Sequence, residues 1–266
     1  MTRDNGSGRI YIIVNADDFG LSAGVNEGII DSHERGIVTS TSLMVREKAA
    51  EPAAAYARRN PDLAVGLHVD LGEWYRDAAS GQWKALYERV DKSDAQSVQA
   101  EVAAQVAEFR RLMGRDPTHI DSHQHVHRSS PVSDAVIRWG QRLRVPVRHF
   151  SRTVRYCGEF YGASQDAAPA CDRVTAAALI RIINSLSPGV TEIACHPGDD
   201  LTLATAYRDQ RRLEVAALTD PAVKRAMRQT DAQLVSFATF PRPRGTSSRA
   251  PSFAAWAREF LRAIDR

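Results

Sequence analysis

Segments with the pattern of β-strands alternate with segments typical of α-helices along almost all of the 266 residues. Parallel strands need a long crossover between them, usually a helix, whereas antiparallel strands can be joined by a short turn. The alternation therefore predicts an α/β fold with a parallel sheet. Seven strand–helix units fit an irregular single-domain (β/α) barrel, and an open doubly wound sheet is the alternative. In either fold, functional side chains are expected at the carboxyl ends of the strands.

The predicted strands are apolar or Val/Thr-rich runs, and the predicted helices carry an apolar stripe. No low-complexity linker divides the chain, so residues 9–266 are predicted to form one domain after a flexible N-terminal segment at 1–8. The strands are predicted at 10–16, 37–45, 63–71, 119–125, 145–150, 190–195 and 232–238. The helices are predicted at 23–35, 48–59, 97–113, 131–143, 174–186, 207–218, 221–229 and 253–264.

Charge and cysteine content exclude several classes of protein. The 35 basic and 32 acidic residues give a net charge of only +3, so neither nucleic acid nor a membrane surface is expected as a partner. The three cysteines are an odd number and form no CxxC pair, which disfavours a disulfide framework or a cysteine-bound zinc ion. No stretch is apolar enough for a signal sequence or a membrane span, so a cytoplasmic protein is expected. The sequence leaves the oligomeric state open, a homodimer included.

Two adjacent aspartates, Asp17 and Asp18, follow the first predicted strand in the sequence NADDFG. A charge at the edge of a low-dielectric core is costly unless a partner or a ligand uses it. The alternative is that an aspartate caps the next helix or forms a tight turn. Because this alternative accounts for one aspartate more readily than for two, both are candidate site residues.

His68 lies in the predicted strand 63–71, LAVGLHVDL, where apolar residues alternate with small or polar ones. Side chains of a strand alternate between two faces, so His68 shares its face with Gly66 and Asp70. In a barrel this face points inward, and the small residues below His68 leave room. A lone inward histidine is more often a hydrogen-bonded core residue than a metal ligand, so His68 alone is a weak indication.

Four of the eight histidines lie in the segment HIDSHQHVH at 119–127. In an extended chain every second side chain projects to the same side. Several imidazoles with a carboxylate among them match the ligands that a borderline divalent cation prefers. The alternative, a solvated strand edge, fits poorly because the segment lies between two predicted helices. The residues of the shared face are His119, Asp121, His123, His125 and His127.

Another histidine, His196, ends the predicted strand 190–195 in the sequence EIACHPG. Its position suits either catalysis or a structural turn. Because the carboxyl ends of parallel strands converge, the paired aspartates and the histidines are expected to meet. One carboxylate and two histidines around a metal ion leave positions for water and substrate, as in metal hydrolases. A second carboxylate can then serve as general base and another histidine as general acid.

Six stretches of the chain, in this order, resemble the YdjC family of carbohydrate deacetylases. They are IIVNADDFGLSAGVNEGI, GIVTSTSLMV, VGLHVDL, PTHIDSHQHVH, EIACHPG and RRLEVAALTDPAV. The form DSHQHVH looks closer to the chitooligosaccharide-deacetylase branch than to the hopanoid-associated branch. The resemblance implies a (β/α)-barrel-like fold related to the polysaccharide deacetylases. It also implies a hydrolase that uses a divalent metal ion to remove acetyl groups from N-acetylated sugars.

The resemblance further implies roles for individual residues. The implied metal ligands are Asp18, His68 and His123, with Asp17 as general base and His196 as general acid. The family resemblance points to magnesium, whereas two imidazoles and one carboxylate suit zinc, manganese or cobalt by ligand type.

The remaining candidates are assigned by their position in the chain. Trp74 and Trp83, in the excursion 72–91, are candidate sugar contacts, although ordinary packing of a loop is the alternative. The segments 152–172 and 241–251 contain no motif of the family. Asp121, His125 and His127 are predicted to support the ligands or to face the substrate, and His33, His119 and His149 are interpreted as structural.

Two other function classes compete with a metal-dependent deacetylase. A non-haem Fe(II) oxygenase also uses two histidines and a carboxylate, but that chemistry usually occurs on an all-β fold. A homologue that binds a metal or a sugar without catalysis would keep the ligands and need neither Asp17 nor His196. The presence of both residues therefore argues against an inactive protein.

Overall fold

The computed structural model describes residues 8–77, 80–163, 170–200, 202–203 and 207–241, and strands and helices alternate along them. The strands are β1 (Ile10–Phe19), β2 (Ser40–Leu43), β3 (Ala64–Val69), β4 (Gly72–Arg76), β5 (Trp83–Glu88), β6 (Ile120–Ser122), β7 (Val154–Cys157), β8 (Gly189–Cys195) and β9 (Ala232–Leu234). The helices are α1 (Ala23–Glu34), α2 (Ala50–Arg59), α3 (Ala95–Met113), α4 (Val132–Leu143), α5 (Ala176–Ser185), α6 (Arg208–Thr219) and α7 (Pro221–Gln229). Short 3₁₀ segments lie at His123–Arg128 and Cys171–Val174.

Seven of these strands form one parallel sheet in the order β6-β3-β2-β1-β8-β7, with β9 beside the first residues of β1. The sheet curls into a half-barrel, which confirms the predicted irregular (β/α) barrel rather than the open doubly wound alternative. The long central strand β1 pairs with β2 on one side and with β8 on the other. The carboxyl ends of β1, β3, β6 and β8 consequently face one region of the curled sheet.

Helix α3 shows how the sequence builds the layer outside the sheet. Asp94 caps its first turn by accepting a hydrogen bond from the Gln96 amide (3.0 Å), and Gly114 ends the helix in the left-handed conformation at φ 67°. Apolar residues recur on the face that the helix buries. They are Val98, Val102, Val106, Phe109 and Met113, the stripe that the sequence predicts.

The strand predicted at 119–125 is much shorter in the structure, because it ends at Ser122. Gln124 and His125 have φ values of 49° and 54°, which an extended strand cannot contain. The chain therefore turns directly after β6, and the histidines that follow do not share one face. The prediction of an extended strand was therefore wrong for residues 123–125.

Two further segments differ from their predicted form. The segment 145–150, predicted as a strand, contributes only an isolated bridge between Val147 and Ile120. The excursion 72–91 is not a plain loop but contains an antiparallel hairpin of β4 and β5. This hairpin extends the chain beyond the end of β3, next to the region where the strand ends converge.

Several predicted features lie outside the described residues: positions 1–7, 164–169, 242–251 and the helix at 253–264. The domain boundaries at 9–266 therefore stay a prediction. Across the described ranges, every helix is too short or too polar to cross a lipid bilayer.

Gly66 in β3 makes room for a buried histidine of the neighbouring chain segment. A Cβ atom at this position would lie 2.4 Å from Cε1 of His119. The His119 ring cannot retreat, because it stacks on Phe237 at 3.8 Å between centroids and its Nδ1 lies 3.0 Å from the Thr118 hydroxyl. The absence of a side chain at Gly66 is thus a packing requirement of the barrel interior.

Gly66→Ala is expected to lower the free energy of unfolding by about 2–3 kcal/mol, because overpacking a rigid core forces strained contacts. Urea denaturation of the purified variant measures this change. In a His119→Ala background the same substitution is expected to have a much smaller effect, since the ring that it meets is gone. A Gly66→Ala protein as stable as the wild type would contradict the packing described.

Candidate functional site

The end of β1 directs two adjacent carboxylates into the same region. Neighbouring side chains of an extended strand point to opposite faces, so Asp17 and Asp18 would diverge in a regular strand. Asp18 instead has a φ of 69°, a left-handed conformation that aspartate adopts more readily than most residues. The pairing of β1 with β2 also shifts register between Ala16 and Phe19. Neither aspartate caps α1, whose N-cap is Ser22.

Asp18, His68 and His123 come together as a cluster, named here the Asp18 cluster. Asp18 Oδ1 lies 3.2 Å from His68 Nε2 and 3.1 Å from His123 Nδ1. The three residues are largely buried, and their ligand atoms lie within 4.8 Å of one another. Within the described ranges, Nε2 of His123 has no hydrogen-bond partner. Two imidazoles and a carboxylate form a donor set that fits a borderline divalent cation.

Asp121 holds the His68 ring on the side away from Asp18. Its Oδ1 lies 2.8 Å from His68 Nδ1, while Nε2 faces the Asp18 cluster. A carboxylate in this position fixes the orientation and the tautomer of a metal-binding histidine. Burial alone would raise the pKa of Asp121, but Arg148 and His68 outweigh this effect and keep the pKa well below its usual value.

Asp17, His68 and Asp121 also lie close enough together to be considered as a metal site. Their carboxylates are already engaged by a buried cation, because Arg148 Nη2 lies 2.7 Å from Asp17 and 2.9 Å from Asp121. Arg148 engages both oxygens of Asp17, whereas Arg211 engages only Oδ2 of Asp18 and leaves Oδ1 facing the two imidazoles. The Asp18 cluster is therefore the better candidate for a metal ion.

Arg148 fixes Asp17 through two parallel hydrogen bonds, 2.6 Å from Nη1 to Oδ2 and 2.7 Å from Nη2 to Oδ1. Asn15 adds a third donor, with its Nδ2 2.8 Å from Asp17 Oδ1. Burial raises the pKa of Asp17, but the charge of Arg148 more than compensates, and the pKa lies below its ordinary value. Asp17 is therefore an ionised carboxylate in a fixed orientation.

His196 follows β8 directly and places its Nε2 3.7 Å from Asp17 Oδ2. Burial lowers the pKa of His196 to about 4, in spite of the nearby carboxylates of Asp17 and Asp18. The imidazole is consequently neutral at pH 7. Its Nδ1 is buried and has no hydrogen-bond partner among the residues that the structure describes.

Helix α6 holds both the Asp18 cluster and the main chain of His196. Arg211 Nη2 lies 2.6 Å from Asp18 Oδ2, and its Nη1 donates to the His196 carbonyl oxygen at 3.3 Å. Glu214, one turn later, accepts a hydrogen bond from the His196 amide. Burial is the main cause that raises the pKa of Glu214 to about 8. The two sides of the site are therefore positioned by one helix.

Sequence reasoning missed the charged residues that hold the proposed functional groups in place: Arg148, Glu192, Arg211 and Glu214. Each is buried, and Glu192 accepts hydrogen bonds from Arg148 at 2.6 and 2.9 Å. A charged residue inside an otherwise apolar segment, such as Glu192 in VTEIAC or Arg148 in VPVRHF, is the signal that could have identified two of them.

The two histidines that follow His123, His125 and His127, have their hydrogen-bond partners outside the Asp18 cluster. His127 is fully buried, with Nδ1 next to the Ser122 hydroxyl and Nε2 3.1 Å from the Arg148 carbonyl oxygen, so it supports the chain that bears Arg148. His125 Nε2 lies 3.1 Å from the Tyr156 hydroxyl. None of these hydrogen bonds of His125 and His127 involves Asp18. His149, interpreted as structural, packs against the rings of both.

The two tryptophans of the hairpin occupy different environments. Trp74 is half-buried, its Nε1 donates to Glu88 at 3.0 Å, and the ammonium of Lys92 lies 3.1 Å from a ring centroid. One face of Trp74 is therefore covered. Trp83 is 64% exposed on β5. The hairpin is anchored beside His123, because the Gln124 side chain hydrogen-bonds both main-chain groups of Trp74.

Arg211→Met is expected to weaken the binding of a divalent cation about 10- to 100-fold, because Asp18 loses the partner that orients its carboxylate. Titration of the metal-free protein with Zn²⁺ in competition with a chromophoric chelator measures this affinity. Arg212→Met is the matched control, since Arg212 is exposed and pairs with Asp199. Equal affinities for the two variants would rule out an orienting role for Arg211.

Comparison with known proteins finds relatives that match most of this chain. The model of the YdjC-like protein family matches residues 11–229. A carbohydrate deacetylase of Geobacillus stearothermophilus is 36% identical over 250 residues, which cover 86% of this chain and 98% of that relative. A chitooligosaccharide deacetylase of Salmonella typhi is 32% identical over 241 residues, covering 80% and 92% of the two chains.

Solved structures extend the comparison. A candidate cellobiose-phosphate cleavage protein of Enterococcus faecalis V583 superimposes with a TM-score of 0.68 and 25% identity, covering 87% of this chain and 98% of that one. The Xyl-CE4 domain of a multidomain xylanase from the hindgut metagenome of Trinervitermes trinervoides has a TM-score of 0.52 at 11% identity, covering 87% and 89%. The similarity to the Xyl-CE4 domain shows a shared fold.

Proposed function

Because this chain belongs to the YdjC-like family, we propose that it is a metal-dependent hydrolase that removes acetyl groups from N-acetylated sugars. The observation that carries the proposal is the Asp18 cluster, with Asp17 and His196 beside it. The names of the relatives, carbohydrate deacetylase and chitooligosaccharide deacetylase, support a substrate of the chitooligosaccharide kind.

The Asp18 cluster would hold the metal ion through Asp18, His68 and His123. A divalent cation bound there supplies Lewis acidity toward the acetyl carbonyl and lowers the pKa of water. The two imidazoles favour zinc, manganese or cobalt over magnesium, which prefers a set of oxygen ligands. We therefore propose a borderline cation, although the resemblance to the family implies magnesium.

Asp17 is the proposed general base. Its carboxylate is ionised at neutral pH, because Arg148 lowers the pKa below the ordinary value. Oδ1 accepts hydrogen bonds from Arg148 and Asn15, whereas Oδ2 accepts one from Arg148 and faces His196. Oδ2 therefore has the capacity to take a proton from the attacking water.

His196 is the proposed proton donor to the leaving amine. With a pKa of about 4, the imidazole starts neutral and has to receive a proton before it can give one. Asp17 Oδ2, 3.7 Å from Nε2, is the source of that proton. Protonation of the amide nitrogen accompanies cleavage of the C–N bond, so the products are acetate and a free amine.

The hairpin of β4 and β5 is the proposed contact for outer sugars of a longer substrate. Trp74 has only one ring face available for a sugar, because Lys92 covers the other face. Trp83 has an exposed ring and is the better candidate of the two.

The experiment that tests the proposed function is an assay of acetate release. The protein is stripped with a chelator, reloaded separately with Zn²⁺, Mn²⁺, Co²⁺ or Mg²⁺, and incubated with N-acetylglucosamine oligomers of increasing length. We expect acetate release that is restored by at least one of the first three ions. No acetate with any ion or oligomer would overturn the proposal. Oxygen consumption by the Fe(II)-loaded protein would favour the oxygenase alternative instead.

A further inference from the structure

An exposed tyrosine lies beside His196, the residue that directly follows β8. Tyr161 follows β7 and is 38% exposed. Its ring lies 5.2 Å from the His196 ring, at an interplanar angle of 62°. Exposed aromatic rings next to a catalytic group can contact a ligand without rearrangement.

The Tyr161 ring is held in place from behind. It stacks on Tyr207 with 4.5 Å between centroids and an interplanar angle of 7°. The Tyr207 hydroxyl accepts a hydrogen bond from the Gly162 amide at 2.5 Å and donates one to Glu214. One face of Tyr161 is therefore covered and fixed, and the exposed part of the ring is directed away from Tyr207. A preorganised ring loses little conformational entropy when a ligand binds.

This inference rests on the proposed function, whose chemistry determines how the substrate is oriented in the site. The acetyl group belongs at the Asp18 cluster, and the amide nitrogen belongs next to His196, its proposed proton donor. The sugar ring is bonded to that nitrogen, so it also lies next to His196. Two described aromatic rings contact His196, those of Tyr161 and Tyr207, and Tyr161 is the exposed one.

The hairpin of β4 and β5 lies next to the Asp18 cluster. It is anchored through Gln124, directly after His123, and so borders the acetyl end of the site. Trp74 and Trp83 are thus less suited to contact the sugar ring that bears the reacting acetamide. We propose that Tyr161 stacks against this pyranose ring and determines how tightly the N-acetylated sugar is bound.

The test compares Tyr161→Ala with Tyr161→Phe, which keeps the aromatic face, and with Tyr161→Leu, which fills the space without one. We expect Tyr161→Ala and Tyr161→Leu to raise KM for an N-acetylglucosamine oligomer about tenfold, with kcat changed less than about twofold, and Tyr161→Phe to resemble the wild type. Tyr56→Ala, on α2, where the Tyr56 hydroxyl donates to Glu34 at 3.0 Å, is the control and is expected to leave KM unchanged.

Calorimetric binding of the same oligomer to an Asp17→Asn background separates affinity from turnover. An unchanged KM and Kd in Tyr161→Ala and Tyr161→Leu would overturn the stacking role, as would a Tyr161→Phe variant as impaired as Tyr161→Ala. These outcomes differ from failure of the proposed function, in which the wild type releases no acetate and the Asp17→Asn protein binds no sugar.

Discussion

Replacing Asp17 by asparagine is expected to reduce kcat for acetate release by about 10³-fold, with metal content unchanged. General-base catalysis typically contributes about 10²–10⁴-fold, and asparagine cannot accept the proton. The fold should tolerate the change, because the buried Arg148 keeps Asp121 at 2.9 Å and Glu192 at 2.6 Å as partners. Acetate release and elemental analysis of the same preparation measure the two quantities.

Asp70→Asn is the control for this substitution. Asp70 is also fully buried and paired with an arginine, Arg89 Nε at 2.6 Å, but it is held by the Tyr87 hydroxyl rather than by the groups of the site. We expect its kcat to stay within about threefold of the wild type, since a non-reacting carboxylate is lost. An Asp17→Asn enzyme that works at the wild-type rate would show that Asp17 is not the base.

Removing a ligand of the Asp18 cluster is expected to abolish both metal binding and turnover. His123→Ala deletes the donor 3.1 Å from Asp18 Oδ1 and should weaken binding of Zn²⁺ well over a hundredfold, a larger effect than the loss of an outer partner. His68→Ala is expected to act similarly and also to destabilise the fold, because Asp121 loses a buried hydrogen-bond partner.

His33→Ala serves as the control for these variants. Its imidazole Nδ1 lies 2.8 Å from the Val38 carbonyl oxygen at the end of α1, away from the Asp18 cluster. Metal stoichiometry by elemental analysis and the Kd from chelator competition should match the wild type. If His123→Ala also bound one ion with wild-type affinity, the proposed ligand set would be incorrect.

The alternation of strands and helices in the sequence predicts that the carboxyl ends of the strands lie close together. Parallel strands joined by helices can be arranged in few other ways. The proximity of Asp18 to His68 follows from this topology. The orientation of the two aspartates does not, since it depends on the positive φ of Asp18 and on a register shift in β1. Residue identity does not fix either feature.

The side chains at 119–127 share one face only where the chain is extended, and the strand predicted at 119–125 ends at Ser122. Strand alternation holds only while φ stays negative and extended, and two residues of the segment depart from that region. The hairpin was missed although Ser80-Gly81, a typical turn pair, lies between its strands. Arg148 and Arg211 could not be paired with their aspartates, because nothing local specifies contacts at such long range.

The ion pairs that orient the two aspartates join parts of the chain that are far apart in sequence. Asp17 and Arg148 are separated by 131 positions, and Asp18 and Arg211 by 193. Contacts of this separation form late, because closing a long segment of chain must precede them. During synthesis from the N-terminus, the residues of the Asp18 cluster therefore emerge well before α6, which orients them. A partly synthesised chain therefore contains all three proposed ligands but lacks the residues of α6 that orient Asp18. The proposed metal-dependent activity is thus expected only once the fold is complete.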